Sequence, residues 1–290
     1  MSPSIALRMR LFTSQGAYII IGGLGGLGRY TFSWLVDHGA TSLYSISRSG
    51  ISSPEAQSLH DSLNSKHGVR LEIIKADACN RSSIAPILAA IRAKEPIKGV
   101  INMAMILGDA PMASMTGEEW DRALNVKIRS SWILHEETRE DELDFFVLFS
   151  SIASVLGNRN QGSYNVGNTF LNALSTYRRR HGRTAVAVAL GAMTDIGVLS
   201  AYATPTTPQM LTRSGLTHLT TSHLSKILEA AFYKSRQQLA GKETTPEDAI
   251  MVTGLEMWED TATAEGKEDG DNNGSGVLEG LSRVLAPSHL

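Results

Sequence analysis

Apolar runs of strand length alternate with amphipathic stretches of helix length over most of the chain. The first run, residues 17–23 (AYIIIGG), leads through a glycine-rich turn into helical spacing over 29–38, with Gly39 placed to end that helix. A strand at 42–47, a helix at 54–66 opening on Pro54, a strand at 71–76 and a helix at 82–94 continue the alternation. Strands at 99–104, 144–150 (DFFVLFS) and 185–190 are separated by helices at 118–138 and 162–180, the latter reading as the longest of the chain.

These strands are continuous apolar runs, the pattern expected when both faces of a parallel sheet are covered. The alternation predicts an α/β fold, a doubly wound and mostly parallel seven-stranded sheet with helices on both faces and right-handed crossovers. Sheets of that kind bind ligands outside the carboxyl ends of their strands. From 194 to 221 the pattern dissolves into Thr, Pro, Gly and Ser, which predicts a long loop serving as a lid. A helix at 222–234 and a strand at 249–254 complete the sheet, so residues 1–255 read as one domain. Residues 256–271 hold seven acidic side chains and one basic one, and DNNGSG follows. Residues 256–290 therefore read as a flexible acidic tail with a short terminal helix over 277–285.

Composition narrows the function classes. Of 290 residues, 42% are hydrophobic and 19% charged, and the net charge is −2. That is a folded, near-neutral chain, which argues against nucleic acid as the main partner. Residues 11–28 carry no charge, but Thr13, Ser14, Gln15 and the glycines leave only a strand-length apolar core, so no membrane span is expected. Residues 1–10 lack the apolar stretch of a signal peptide. The single cysteine, Cys79, excludes an internal disulfide and suggests a reducing, cytoplasmic location. No Cys/His cluster points to a metal.

The candidate chemistry sits at the strand ends. Gly22, Gly23, Leu24, Gly25, Gly26, Leu27 and Gly28 lie between a strand and a helix, where glycines let the backbone approach a pyrophosphate and the helix start supplies amide donors. The second strand ends in Ser47, Arg48 and Ser49 with no acid to hold a ribose diol, and a guanidinium there suits a 2′-phosphate. The cofactor expected is therefore NADPH. Ser151 ends the fifth strand, and Tyr164 follows 13 residues later on the next helix, so the two hydroxyls can converge. No tyrosine is followed four residues on by lysine; after Tyr164 that place is held by Asn168.

The Gly22-x-x-x-Gly26-x-Gly28 loop resembles that of short-chain dehydrogenase/reductases. The Tyr-x-x-x-Asn pattern, with Lys127 placed 24 residues before Ser151, resembles the ketoreductase domain of polyketide synthases and animal-type fatty acid synthases. The segments GGLGGLGR, SRSG, GVINMA, LHEET, DFFVLFSSIASVLGN, QGSYNVGNTFLNAL and YRRRHG are most similar to those of fungal highly reducing polyketide synthases. The resemblance, over roughly 18–199, implies a Rossmann-like sheet and NADPH-dependent reduction of a β-ketoacyl thioester carried on an acyl carrier. It implies Tyr164 as proton donor and Ser151 as a hydrogen-bond donor to the same oxygen. It implies Lys127 as a ribose ligand whose ammonium lowers the tyrosine pKa, and Asn168 as the group orienting that lysine or a relay water. Asp77, Ala78, Asn102, Ala104, Gly191 and Met193 are the further cofactor-lining positions it implies, Asp77 as an acceptor for the adenine amino group.

The chain also departs from that pattern. Met103 and Met105 replace small residues after the fourth strand, which would narrow the nicotinamide pocket. Leu107-Gly108-Asp109 keeps only the last acid of a Leu-Asp-Asp motif, and Leu156 stands where a tryptophan marks the alternative stereochemical type. About sixteen residues precede the first strand, too few for the reductase-like subdomain that such domains pair with, and no carrier attachment motif follows. Two other readings stay open: a non-catalytic nucleotide- or synthase-binding fragment, and a general short-chain carbonyl reductase.

Overall fold

Five consecutive buried residues, Ala17–Ile21, form β1 in the middle of the sheet. A strand without polar alternation needs apolar cover on both faces. The computed structural model describes residues 11–12, 15–201, 203–239 and 246–255; the acidic stretch and terminal helix expected over 256–290 lie outside them. After β1 come α1 (Gly26–Asp37), β2 (Ser42–Ser47), α2 (Pro54–Asn64), β3 (Arg70–Lys75), α3 (Arg81–Arg92), β4 (Ile97–Asn102) and α4 (Gly117–Glu137). They are followed by β5 (Phe145–Ser151), α5 (Ala153–Leu156), α6 (Gly162–Arg180), β6 (Val186–Leu190), α7 (Thr207–Arg213), α8 (Thr221–Leu239) and β7 (Ile250–Val252).

The strands pair in the order β3-β2-β1-β4-β5-β6-β7, and every pairing is parallel. The expected doubly wound α/β sheet is therefore present. On one face Tyr18, Ile20 and Phe145 pack with Phe32 and Leu35 of α1, Leu59 and Leu63 of α2, and Leu224 and Leu228 of α8. On the other, Ile19, Ile21 and Phe146 pack with Ile84 and Leu88 of α3, Leu134 of α4, and Leu171 and Leu174 of α6. Strand order reverses between β1 and β4, where the carboxyl ends of the strands leave a crevice.

Several helix ends follow their sequence signals. Ser53 accepts a hydrogen bond from the amide of Ala56 ahead of Pro54, and Asn80 accepts one from Ser82 at the start of α3. Gly39 stops α1 at φ +107, with its amide on the Val36 carbonyl and the Ala40 amide on the Leu35 carbonyl, a Schellman arrangement.

Three expectations change. The longest helix is α4, with 21 residues against 19 in α6, because a reciprocal capping box between Thr116 and Glu119 secures its start. The stretch 194–221 is not a plain loop: it holds a 3₁₀ turn at Leu199–Ala201 and then α7, which buries no residue and so leaves no apolar period. Its base is tied down by a bridge between Met193 and Leu219. The one-turn α5 after β5 has no sequence period either. Among the described residues, no helix is long and apolar enough to cross a membrane.

Gly39→Ala forces an L side chain to a positive φ at the end of α1 remote from the crevice. Denaturant unfolding is expected to show a loss of about 1–2 kcal/mol, with nucleotide binding unchanged; an unaltered midpoint would refute the backbone argument.

Candidate active site

A cleft of about 1570 Å³ opens over the carboxyl ends of the strands. The loop after β1 forms its floor. Gly22 turns at φ +75, and a Cβ there would lie 2.9 Å from the backbone nitrogen of Ala104 beyond β4. A Cβ on Gly28 would lie 2.4 Å from the backbone of Gly23, so only glycine lets the first turn of α1 rest on its own loop. Gly25 caps α1 without a side-chain hydrogen bond, and the first turn carries no acid. Its amides and partial positive charge thus remain for a ligand. The Arg29 guanidinium donates to the Leu24 carbonyl at 2.9 Å and braces the loop.

Most residues expected from the sequence reach this cleft. It is lined by Gly22 and residues 24–28, by Ser47, Arg48 and Ser49, by Asp77 and Ala78, by Ala104, by Lys127, Ser151 and Tyr164, and by Gly191 and Met193. Three do not line it. Gly23 instead packs where a Cβ would meet the Phe32 ring at 2.5 Å. Asn102 is buried, donating to the hydroxyls of Ser130 and Ser131 at 2.8 Å and accepting from the Ala104 amide at 3.0 Å, which ties β4 to α4. Asn168 is fully buried.

At one end of the cleft Arg48 is exposed and makes no ion pair among the described residues. Asp77 is also exposed and accepts from the Cys79 amide at 2.9 Å. Burial first, and Asp77 second, push the Cys79 thiol up to about 11, so it stays protonated.

At the other end Lys127 projects from α4, Ser151 ends β5 and Tyr164 lies in the first turn of α6. Lys127 is only 3% exposed and donates to the Phe149 carbonyl at 2.6 Å. Its Nζ sits 5.8 Å from the centre of the Tyr164 ring. Burial lowers its pKa to about 7. Burial also lifts the Tyr164 phenol above its ordinary value, against hydrogen bonding by the Ser151 and Asn168 side chains, which favours the ionised form. Burial is thus the largest cause for both groups and pushes each toward its neutral form. The Asn168 Nδ2 donates to the Tyr164 carbonyl at 2.8 Å, and its Oδ1 has no hydrogen-bond partner among the described residues.

Two contributors escaped the sequence reading. Gly167 lies where a Cβ would come 3.0 Å from Lys127 Cβ, so a glycine inside α6 makes room for the lysine stem. A lone glycine in a helical pattern is the signal that was available for it. Gln161 donates to the Asp109 carboxylate at 2.8 Å across the cleft mouth, and Asp109 adds to the upward push on Tyr164. Met103, Met105, Leu107 and Leu156 give that end an apolar wall.

A family model described as the KR domain matches residues 16–195. The chain belongs to the KR-domain family. Its KR region is similar to parts of much longer proteins. It is 35% identical to the highly reducing polyketide synthase AN6791 of Emericella nidulans over 219 residues, 75% of this chain and 8% of that protein. It is 36% identical to the highly reducing polyketide synthase g433 of a Fusarium species over 82% of this chain and 9% of that protein. The chain thus spans about a tenth of the length of the curated relatives it matches. Among solved structures, an A-type ketoreductase from a modular polyketide synthase aligns with a TM-score of 0.72 at 30% identity, over 89% of this chain and 51% of that one.

The buried lysine of this KR fold has a signature in stability. Folded, Lys127 takes up its proton only below about pH 7, against 10.5 for an unperturbed lysine. Between those values the unfolded chain binds the extra proton, so the group's destabilising effect grows as pH falls from about 10.5 to about 7 and is constant below. Lys127→Met is expected to raise the Tm relative to wild type most at about pH 6 and least at about pH 10. A pH-independent difference in thermal melts would contradict desolvation of the ammonium.

Proposed function

We propose that this chain catalyses NADPH-dependent reduction of a β-ketoacyl thioester, held on an acyl carrier, to the β-hydroxyacyl thioester. The observation that carries the reading is the convergence of Lys127, Ser151 and Tyr164 on the cleft that the glycine loop and Arg48 also line. The residues present fit the cofactor. Glycine at 22 and 28 lets the loop pack closely on β4 and on itself, the start of α1 has no side-chain cap or acid in its first turn, and Arg48, without an ion pair among the described residues, suits a 2′-phosphate. Bound there, NADPH supplies the hydride that the ketone carbon accepts.

The side chains supply the rest. Tyr164, held protonated by burial, donates its phenolic proton to the carbonyl oxygen as negative charge develops on it, leaving the alcohol. Ser151 donates a hydrogen bond to the same oxygen and stabilises that charge. Lys127 holds the ribose, with its amine 5.8 Å from the centre of the Tyr164 ring. The apolar wall of Met105, Leu107 and Leu156 suits an acyl chain, and the open cleft mouth admits a tethered substrate.

Tyr164→Phe keeps the ring and removes the proton. NADPH oxidation with a β-ketoacyl thioester of N-acetylcysteamine is expected to fall by about 10²–10⁴-fold, with NADPH affinity retained; wild-type turnover in this variant would end the assignment.

Arg48→Ala is expected to weaken NADPH binding by about tenfold or more while leaving NADH within about twofold, the size of a lost charge-assisted contact. Equal losses for both nucleotides, read by fluorescence titration, would remove Arg48 from the phosphate site.

A further inference from the structure

The hydrogen bonds behind Ser151 continue past the residues already assigned. Tyr164, Asn168 and Asn172 recur at four-residue intervals on α6 and so share one face of that helix. Opposite them stand Ser150, Ser151 and Ser154, from the end of β5 and from α5. Ser150 Oγ donates to the Asn168 carbonyl at 3.1 Å. One turn further along α6, Asn172 Nδ2 donates to Ser154 Oγ at 2.9 Å, and Ser154 Oγ donates to the Ser151 carbonyl at 2.7 Å. Asn172 is a buried amide whose Oδ1 has no protein partner. A polar group buried at that cost calls for a local reason.

We infer that Asn172 and Ser154 are positioning residues for the Ser151 hydroxyl, a role that rests on the reductase reading above. A serine hydroxyl has one proton. Because Ser154 Oγ accepts from Asn172, its own proton is directed to the Ser151 carbonyl. That bond closes the turn after β5, the turn in which the Ala153 amide donates to Ser151 Oγ at 3.2 Å. α5 is four residues long and cannot hold its shape unaided. Backbone bonds within the turn run from the Val155 and Leu156 amides to the Ile152 carbonyl, and the Ile152 amide donates to the Leu190 carbonyl at 2.9 Å, which anchors the turn to β6 but not to α6. Beside the Ser150–Asn168 bond, the Asn172–Ser154 link couples the turn after Ser151 to the helix bearing Tyr164, so that the two hydroxyls keep one geometry toward a shared oxygen.

The test is steady-state kinetics with NADPH and the N-acetylcysteamine thioester on purified Ser154→Ala, Ser154→Thr and Asn172→Ala chains. Loss of the link is expected to lower kcat about tenfold in Ser154→Ala and Asn172→Ala, with KM and NADPH affinity within about twofold. Ser154→Thr, which keeps the hydroxyl, is expected to restore most of the rate. Added to Ser151→Ala, the Ser154→Ala change is expected to cost nothing further, since it acts through that hydroxyl. A Ser154→Ala enzyme with wild-type kcat, or losses that multiply with those of Ser151→Ala, overturns the proposal.

Amide hydrogen exchange at Ala153, read without substrate, separates the two levels of the argument. Faster exchange in Ser154→Ala is expected whether or not the chain turns over a thioester, and unchanged exchange overturns the link itself. A wild-type chain with no turnover would instead overturn the reductase reading, and with it a positioning role, while the exchange result still decides whether the hydrogen bonds hold the turn.

Discussion

Placing a lysine amine inside the α4–α6 interface is the constraint on which the site depends. Lys127 is taken out of water with the Phe149 carbonyl as its hydrogen-bond partner, and it makes no ion pair among the described residues. Desolvation of that kind is tolerated only where packing leaves the group no alternative position. Gly167 opens the space beside its stem, and the Phe149 carbonyl meets its end. Because Phe149 is two residues before Ser151 on β5, the same lysine that lies against the tyrosine ring also fixes the strand end bearing the serine. Three elements that are distant in sequence are thereby held to one point.

The opposite half of the cleft depends on close backbone approach rather than on charge. A Cβ at Gly22 would strike Ala104, one at Gly28 would strike Gly23, and one at Gly26 would lie 2.9 Å from the amide nitrogen of Gly197. Gly197 belongs to the segment after β6, and a Cβ on it would in turn come 2.4 Å from Leu27. The glycine loop is thus gripped from β4 on one side and from the base of the 194–221 segment on the other. The Asp195 carboxylate adds to that base, accepting from the amide and hydroxyl of Thr221 at 2.7 and 2.9 Å where α8 begins. Packing of this density makes the glycine-loop wall of the cleft a rigid surface.

Much of this was legible in the sequence, for physical reasons that also explain the gaps. Strands buried on both faces must be apolar throughout, so β1, β4, β5 and β6 announce themselves. Helices facing the sheet must show a period, so α1 to α4, α6 and α8 do too. α5 and α7 are short and bury little, and nothing in their composition forces a pattern. The spacing of Ser151 and Tyr164, with Lys127 added by the ketoreductase resemblance, was sufficient to place the three in one cleft. It was not sufficient to show that Asn102 and Asn168 would turn inward to backbone and hydroxyl partners, since orientation within an element is decided by tertiary neighbours. Nor does spacing register dielectric: the lysine and tyrosine that look like a cation beside a phenol are both groups that burial drives toward neutrality.

That shared drive toward neutrality has a consequence for the proposed chemistry. A donor must hold its proton until the acceptor needs it, and a phenol whose pKa lies above its ordinary value near 10 does so throughout the neutral range. Burial pulls the neighbouring Lys127 the same way, lowering its pKa to about 7. Negative charge that develops on an oxygen held by the Ser151 and Tyr164 hydroxyls would be met by their hydrogen bonds, which strengthen as the charge grows. The stabilisation is then greater for the developing alkoxide than for the ketone, which is the differential that accelerates a chemical step rather than merely tightening binding.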